Sequence, residues 1–469
     1  MVDDVAYASA IELKKAIAKK KISPVEVVEA SLNRLVAVEP KLNSFVTVTA
    51  ELALAAARAA EAKVMKRKKL GPLEGLPISV KDVIPVKGVK LTTGSRAMAE
   101  NIAAIDAPVV ERIKAAGACI VGKTTASEFG CKAVGDSPLT GATRNPWNLA
   151  KTSGGSSAGA VASVAAGVTP FAVATDGGGS IRIPCALTGL FGIKAQFARV
   201  PMYPVSAAPT LAHAGALART VRDAALLLGV EAGHDRRDPF SVAEKVPDFL
   251  AACDKGAKGM RVAWSPTLGY AKADREVVAI AEKAARSFAD LGCHVEQVDK
   301  VFDQDPVDLF SSEFYAGIGT RLKPVLEKSR DLLDPAVVEI LSQALNQSLE
   351  QYYTNVFRRY ELREKVRQFF ETYDLLLSPT LPVAAFDVNR NLPPMLEGSD
   401  RNVVSWVYYT YPFNLTGQPA ASVPAGFTKD RLPVGLQLVA RINREVDIFR
   451  AAAAFEEARP WVHKRPPIK

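Results

Sequence analysis

Two segments, Thr152-Ser153-Gly154-Gly155-Ser156-Ser157-Ala158-Gly159 and Thr175-Asp176-Gly177-Gly178-Gly179-Ser180-Ile181-Arg182, decide how this chain folds. Between them, residues 157–167 form an Ala-, Gly- and Ser-rich run that reads as a closely packed helix, and residues 171–174 form an apolar run after Pro170 that reads as a buried strand. Three consecutive glycines then follow. Glycine costs roughly 0.5–1 kcal/mol wherever a regular conformation would serve, so residues 176–180 are expected to be irregular, with close backbone approach or positive φ.

Working outward, the same alternation recurs. Residues 77–80 and 119–121 are apolar runs bounded by Gly or Pro, with a helical pattern over 109–116 between them, which is βαβ order. Upstream, residues 11–18 are helically periodic, Ser23-Pro24-Val25-Glu26 supplies an N-cap, a first-turn proline and a capping-box glutamate, and an Ala-rich helix runs near 52–66. Downstream, residues 260–264, 375–377, 421–424 and 434–439 are strand candidates, and about 302–373 is largely helical. The expected fold class is α/β, a large mixed sheet covered by helices on both faces. No long linker, low-complexity stretch or fixed-period repeat interrupts the 469 residues. One domain over 1–469 is therefore expected, with a helical N-terminal part (1–70), a core (about 71–220) and a variable helical region (about 300–375).

Composition excludes several functions. The net charge of +9, from 59 basic and 50 acidic residues, is spread thinly, and no aromatic-studded basic stripe accompanies it, so no nucleic-acid partner is expected. The opening Met1-Val2-Asp3-Asp4 lacks a charged segment followed by an apolar one, and no apolar run reaches membrane-spanning length. A cytoplasmic location without a membrane partner is expected. Five cysteines without a CxxC and four scattered histidines indicate neither a disulfide framework nor a metal, and no cofactor is expected.

Two motif matches fail on context. Gly117 to Thr124 fits GxxxxGK[ST], but its variable positions Ala118-Cys119-Ile120-Val121 are strand material behind a helix, not a phosphate-cradling loop. Gly155-Ser156-Ser157-Ala158-Gly159 fits GxSxG, but the residues feeding it are polar and no histidine downstream has an obvious acidic partner.

Three features remain that folding alone explains poorly. Lys81 directly follows the apolar run 77–80, where a snorkelling surface lysine is the bland alternative. Ser153, Ser156 and Ser157 crowd a helix start, where backbone N–H groups and the positive helix end favour a developing oxyanion, or where they simply cap the helix. Ser180 follows three glycines whose N–H groups would converge beside its hydroxyl, unless the glycines merely form a tight turn. Serine needs a base, and in a chain with four histidines a desolvated lysine is a reasonable one.

These segments resemble the amidase signature family. The likeness rests on Val80-Lys81-Asp82, Gly154-Gly155-Ser156-Ser157, and Asp176-Gly177-Gly178-Gly179-Ser180-Ile181-Arg182, and extends through Arg144-Asn145-Pro146-Trp147-Asn148, Leu377-Ser378-Pro379-Thr380-Leu381-Pro382 and Asn414-Leu415-Thr416-Gly417-Gln418-Pro419 to Leu432-Pro433-Val434-Gly435-Leu436-Gln437. The resemblance implies an amide C–N hydrolase acting on linear amides through an acyl-enzyme. Ser180 would be the nucleophile, Ser156 the bridging serine after a cis peptide, and Lys81 the neutral base. The N–H groups of Gly177, Gly178, Gly179 and Ser180 would form the oxyanion hole, with Ser157, Asp176 and Arg182 fixing the loop. Gly177 departs from the family's usual Thr or Ile, which is read as loosening the loop or opening space for substrate. Phe129, Gly130 and Cys131 are expected in the substrate pocket, together with aromatics of the variable helices: Phe310, Phe314, Tyr315, Tyr352, Tyr353 and Phe357. These lean the substrate toward hydrophobic or aryl amides. The alternatives are the glutaminase subunit of a tRNA-dependent amidotransferase and, remotely, a non-catalytic binding protein. A small-molecule amide is the expected partner, with a homodimer in keeping with relatives.

Overall fold

The computed structural model describes residues 5–468, so the acidic opening at 1–4 lies outside the described residues. Eleven strands form one sheet: β1 (Phe45–Val48), β2 (Pro77–Lys81), β3 (Cys119–Thr124), β4 (Phe171–Asp176), β5 (Phe191–Lys194), β6 (His213–Ala218), β7 (Arg261–Trp264), β8 (His294–Gln297), β9 (Leu375–Pro379), β10 (Ala420–Phe427) and β11 (Pro433–Ala440), in spatial order β1-β3-β2-β4-β6-β5-β10-β11-β9-β7-β8. The sheet is mixed. β3, β2 and β4 run parallel, the centre from β4 to β9 is antiparallel, and β9, β7 and β8 are parallel again.

Period-two alternation sorts each strand's side chains. Ile78 and Val80 of β2, with Phe171 and Val173 of β4, enter the large cluster on one face. Ala172 and Ala174 face the opposite way, against the Ala158–Ala165 helix, whose residues are all buried. Small side chains there let helix and sheet approach closely, which accounts for the composition of this run. A second large cluster is built by the helices Val307–Lys328, Pro335–Ala344 and Leu349–Thr372, together with a buried segment at 403–415.

The capping box expected at Ser23 and Glu26 is formed, with Pro24 in the first turn of the Pro24–Leu42 helix. Several strands carry little signal in the sequence. β6, His213-Ala214-Gly215-Ala216-Leu217-Ala218, contains no β-branched residue, yet it pairs on both sides and is buried throughout. Burial between neighbours, not intrinsic preference, makes it a strand. β8 is hard to read for the opposite reason, being a largely exposed edge with few apolar residues.

Candidate active site

β2 and β4 are parallel neighbours, with Val80 opposite Val173. Their C-terminal ends therefore deliver Lys81 and Thr175-Asp176 to one edge of the sheet, beside the N-terminus of the Ala158–Ala165 helix. Lys81 is 0% exposed. Its Nζ lies 2.7 Å from Ser156 Oγ, 2.9 Å from Thr175 Oγ1 and 3.4 Å from the Thr175 carbonyl. Burial lowers its pKa to about 7, the charge of Asp176 pulling the other way. Snorkelling is ruled out by that burial.

Ser156 follows a cis peptide bond from Gly155 and is buried. Ser157 donates to the Thr175 carbonyl at 3.2 Å. Ser156, Thr175, Gly177 and the half-buried Ser180 line one cavity of about 520 Å³. The structure thus brings the lysine and both serines to one place.

Asp176 organises the glycine loop. Its carboxylate accepts from the Gly179 N–H at 2.7 Å, from the Ile181 N–H at 3.3 Å, and from Arg182 Nε and Nη2 at 3.0 and 2.9 Å. Burial alone would raise its pKa, but Arg182, Lys194 and Asn414 hold it well below the usual carboxylate range. Arg182, itself fully buried, also donates to the Thr410 carbonyl, Gln437 Oε1 and Asn414 Oδ1 at 2.9, 2.8 and 2.6 Å. Every arm of a buried ion pair is thereby used, the condition under which such a pair holds a loop rigidly.

Three expectations are corrected. The Gly179 N–H is committed to Asp176, and Gly179 adopts φ +131°, so it is not free to serve an oxyanion. Among the described residues, the N–H groups of Gly177, Gly178 and Ser180 meet no acceptor. Phe129 and Gly130 line the cavity, but Cys131 does not: it is 0% exposed behind the wall, and its carbonyl receives the Tyr315 hydroxyl at 3.2 Å. Burial also drives the Cys131 thiol far above its ordinary pKa. The space at Gly177 is filled by protein, since a Cβ there would lie 2.7 Å from Phe314 Cε2.

Of the helical aromatics, Phe314 reaches the cavity and Phe310 packs behind Gly178. Tyr353 and Phe357 are exposed on the Leu349–Thr372 helix, and Tyr352 lies outside the lining as well. The Gly117–Thr124 match is a turn into β3, and Lys123 is buried against Asp82 at 3.0 Å. Sequence reasoning assigns no part to Thr175, Thr410, Asn414 or Gln437. Thr175 stands beside a recognised aspartate, while the other three act across more than 200 residues of chain; Asn414 and Gln437 lie in segments that carry the resemblance, but nothing local ties them to Arg182.

The geometry and the fold define a class, α/β proteins in which a buried lysine and serines gather beside a glycine loop at the strand ends. The family model named Amidase matches residues 26–449. The acylamidase of Rhodococcus erythropolis is 37% identical over 98% of this chain and 97% of its own length. A glutamyl-tRNA(Gln) amidotransferase subunit from Carboxydothermus hydrogenoformans is 34% identical over 98% of this chain and 99% of its own. A bacterial aryl acylamidase of the amidase signature family superposes with a TM-score of 0.91 at 31% identity, covering 97% of both chains. The chain belongs to the amidase signature family and hydrolyses amide C–N bonds. Among the described residues no helix is long and apolar enough to cross a membrane.

Proposed function

We propose that Ser180 attacks the amide carbonyl, that Ser156 relays its proton, and that Lys81 receives it. The observation that carries this reading is Lys81 Nζ at 2.7 Å from Ser156 Oγ with a pKa of about 7. A neutral amine has two N–H groups, which the two oxygens of Thr175 accept, leaving the lone pair for the Ser156 hydroxyl. The proton moves from Ser180 Oγ to Ser156 Oγ as the Ser156 proton moves to Lys81. The free N–H groups of Gly177, Gly178 and Ser180 hold the oxyanion, and Asp176 and Arg182 keep the loop that presents them. Ser156 returns the proton to the leaving nitrogen, and water cleaves the acyl-enzyme.

The substrate is a linear amide with an apolar or aryl group, supported by a lining that includes Ile84, Leu91, Phe129, Phe314 and Ile318. The glutaminase reading draws on the amidotransferase relatives, but among the described residues no acidic side chain lines the cavity to receive the ammonium of glutamine. A cytoplasmic location fits five buried, unpaired thiols. A homodimer is the proposed assembly, and a solution mass of twice that of the chain in light scattering would test it. The decisive experiment is ammonia and amine release from aliphatic amides, aryl amides, anilides, ureido acids and glutamine, beside Ser180→Ala. Turnover of apolar or aryl amides that Ser180→Ala abolishes is expected; cleavage of glutamine alone would establish the second reading. Failure of a fluorophosphonate to label Ser180 would sink both.

A further inference from the structure

The cavity has a chemical feature that the hydrolytic step does not use. One face of the Val307–Lys328 helix turns into it, with Phe314, Ile318, Arg321, Leu322 and Val325 following helical spacing along the wall. Among the described lining residues Arg321 alone is charged. Its guanidinium donates to the Val205 carbonyl at 2.8 Å and forms no ion pair with a described carboxylate. Neighbouring arginines are matched. Arg237, stacked on Tyr203 of the lining, is held by Glu111 and Asp235, and Arg359 is held by Glu313. A guanidinium fork anchored on one side only, against an otherwise neutral wall, presents its remaining donors in the geometry that a carboxylate accepts bidentately.

We infer that Arg321 receives a carboxylate at the far end of the substrate, so that the enzyme acts on amides with an apolar body and a distal anionic group. This rests on the hydrolytic reading of the site given above. Length follows from the helix. Phe314 touches the glycine loop at Gly177, and Arg321 lies two turns further on, about 10 Å along the axis at 1.5 Å per residue. Helical side chains lean toward the N-terminus, here toward the catalytic end, so the span is about 10 Å or slightly less. Glutamine, with its carboxylate only a few bonds from the amide, is too short to bridge it. The molecule's net charge of +9 acts in the same direction by favouring the approach of anions.

The test compares two anilides of equal length, one ending in a carboxylate about 10 Å from the scissile carbonyl and one ending in a methyl ketone. Their kcat/KM ratio is measured in the parent enzyme, in Arg321→Gln and in Arg321→Glu. The Kd ratio is measured by calorimetry in the Ser180→Ala background, with and without Arg321→Gln. The acid is expected to be favoured about tenfold in both ratios, as for a hydrogen bond to a charged group. Arg321→Gln erases the preference and Arg321→Glu inverts it. A parent Kd ratio near one, or a ratio that Arg321→Gln leaves unchanged while both substrates fall together, overturns the inference and reduces Arg321 to a strap on Val205. Absence of turnover with the Kd ratio intact would count against the hydrolytic reading while leaving the anion site standing.

Discussion

Lys81 and Lys123 sit on adjacent parallel strands, both wholly buried, and they differ in one contact, the carboxylate of Asp82, which only Lys123 meets. Lys123 lies opposite Val80 in the register, so it shares that face of the sheet, while Lys81 points to the other. Asp82, next in sequence after Lys81, turns back to the Val80 side. It meets Lys123 at 3.0 Å and is further held by the N–H and hydroxyl of Thr92. Burial pulls both lysines below their ordinary pKa, but at Lys123 a carboxylate in contact opposes the shift. Lys81 has in its place only Ser156, the oxygens of Thr175 and the more distant charge of Asp176. The alternation of a strand thus hands the counter-ion to Lys123 and withholds it from Lys81, the proposed base.

The largest effect would break this contrast outright. Lys81→Ala is expected to lower kcat by about 10³-fold or more with the fold intact, since a base in general catalysis contributes 10²–10⁴. Lys123→Ala is expected instead to destabilise by about 3–5 kcal/mol, because it strands Asp82 buried and unpaired. Steady-state kinetics beside chemical denaturation read both. If Lys123→Ala lost activity without stability, the two roles would have to be exchanged.

Stability sharpens the contrast from the other side. The folded state binds Lys81's proton with a pKa of about 7 against an ordinary value of 10.5, so the buried ammonium costs stability. The sign follows: the cost is fully present below pH 7 and fades as pH rises from 7 toward 10.5, where the unfolded chain also releases the proton. Lys81→Met is therefore expected to stabilise by about 2–4 kcal/mol at pH 6, after loss of the lysine's hydrogen bonds, and by less at pH 9. Denaturation midpoints at the two pH values check it. No corresponding gain is expected for Lys123→Met, which leaves Asp82 alone.

How much of this is legible in the sequence can be judged residue by residue. Lys81 stands out because a charged residue closes an apolar strand, and Ser180 because three glycines precede it. The expected α/β fold follows from the same apolar runs. Cys131 and Gly179 mislead because sequence proximity says nothing about where a side chain or an N–H group points. Cys131 adjoins two cavity residues yet faces the core, and Gly179 turns its N–H onto Asp176. Asn414, in the short helix Pro412–Leu415, and Gln437, on β11, complete the Arg182 network from elements that meet only after folding. Gly177 is recognisable as a departure, but its consequence, the close approach of Phe314, belongs to a helix far along the chain.

The smallest expected effect bears on the residue that stands where a carboxylate would otherwise be. Thr175 Oγ1 accepts from Lys81 at 2.9 Å and so stabilises the ammonium form slightly. With Lys81 near pH 7, kcat/KM should rise through about pH 7 to a plateau, as the proton-accepting amine becomes the major form. Thr175→Val removes one acceptor, disfavours the charged form and should move that limb to lower pH by less than about one unit, one pKa unit being 1.36 kcal/mol. Thr175→Asp imposes on Lys81 the partner that Lys123 already has, and should move the limb upward. A purely structural part for Thr175 would lower the plateau in both variants and leave the midpoint where it was. Opposite displacements would show that the absence of a contacting carboxylate at position 175 sets Lys81 apart from Lys123.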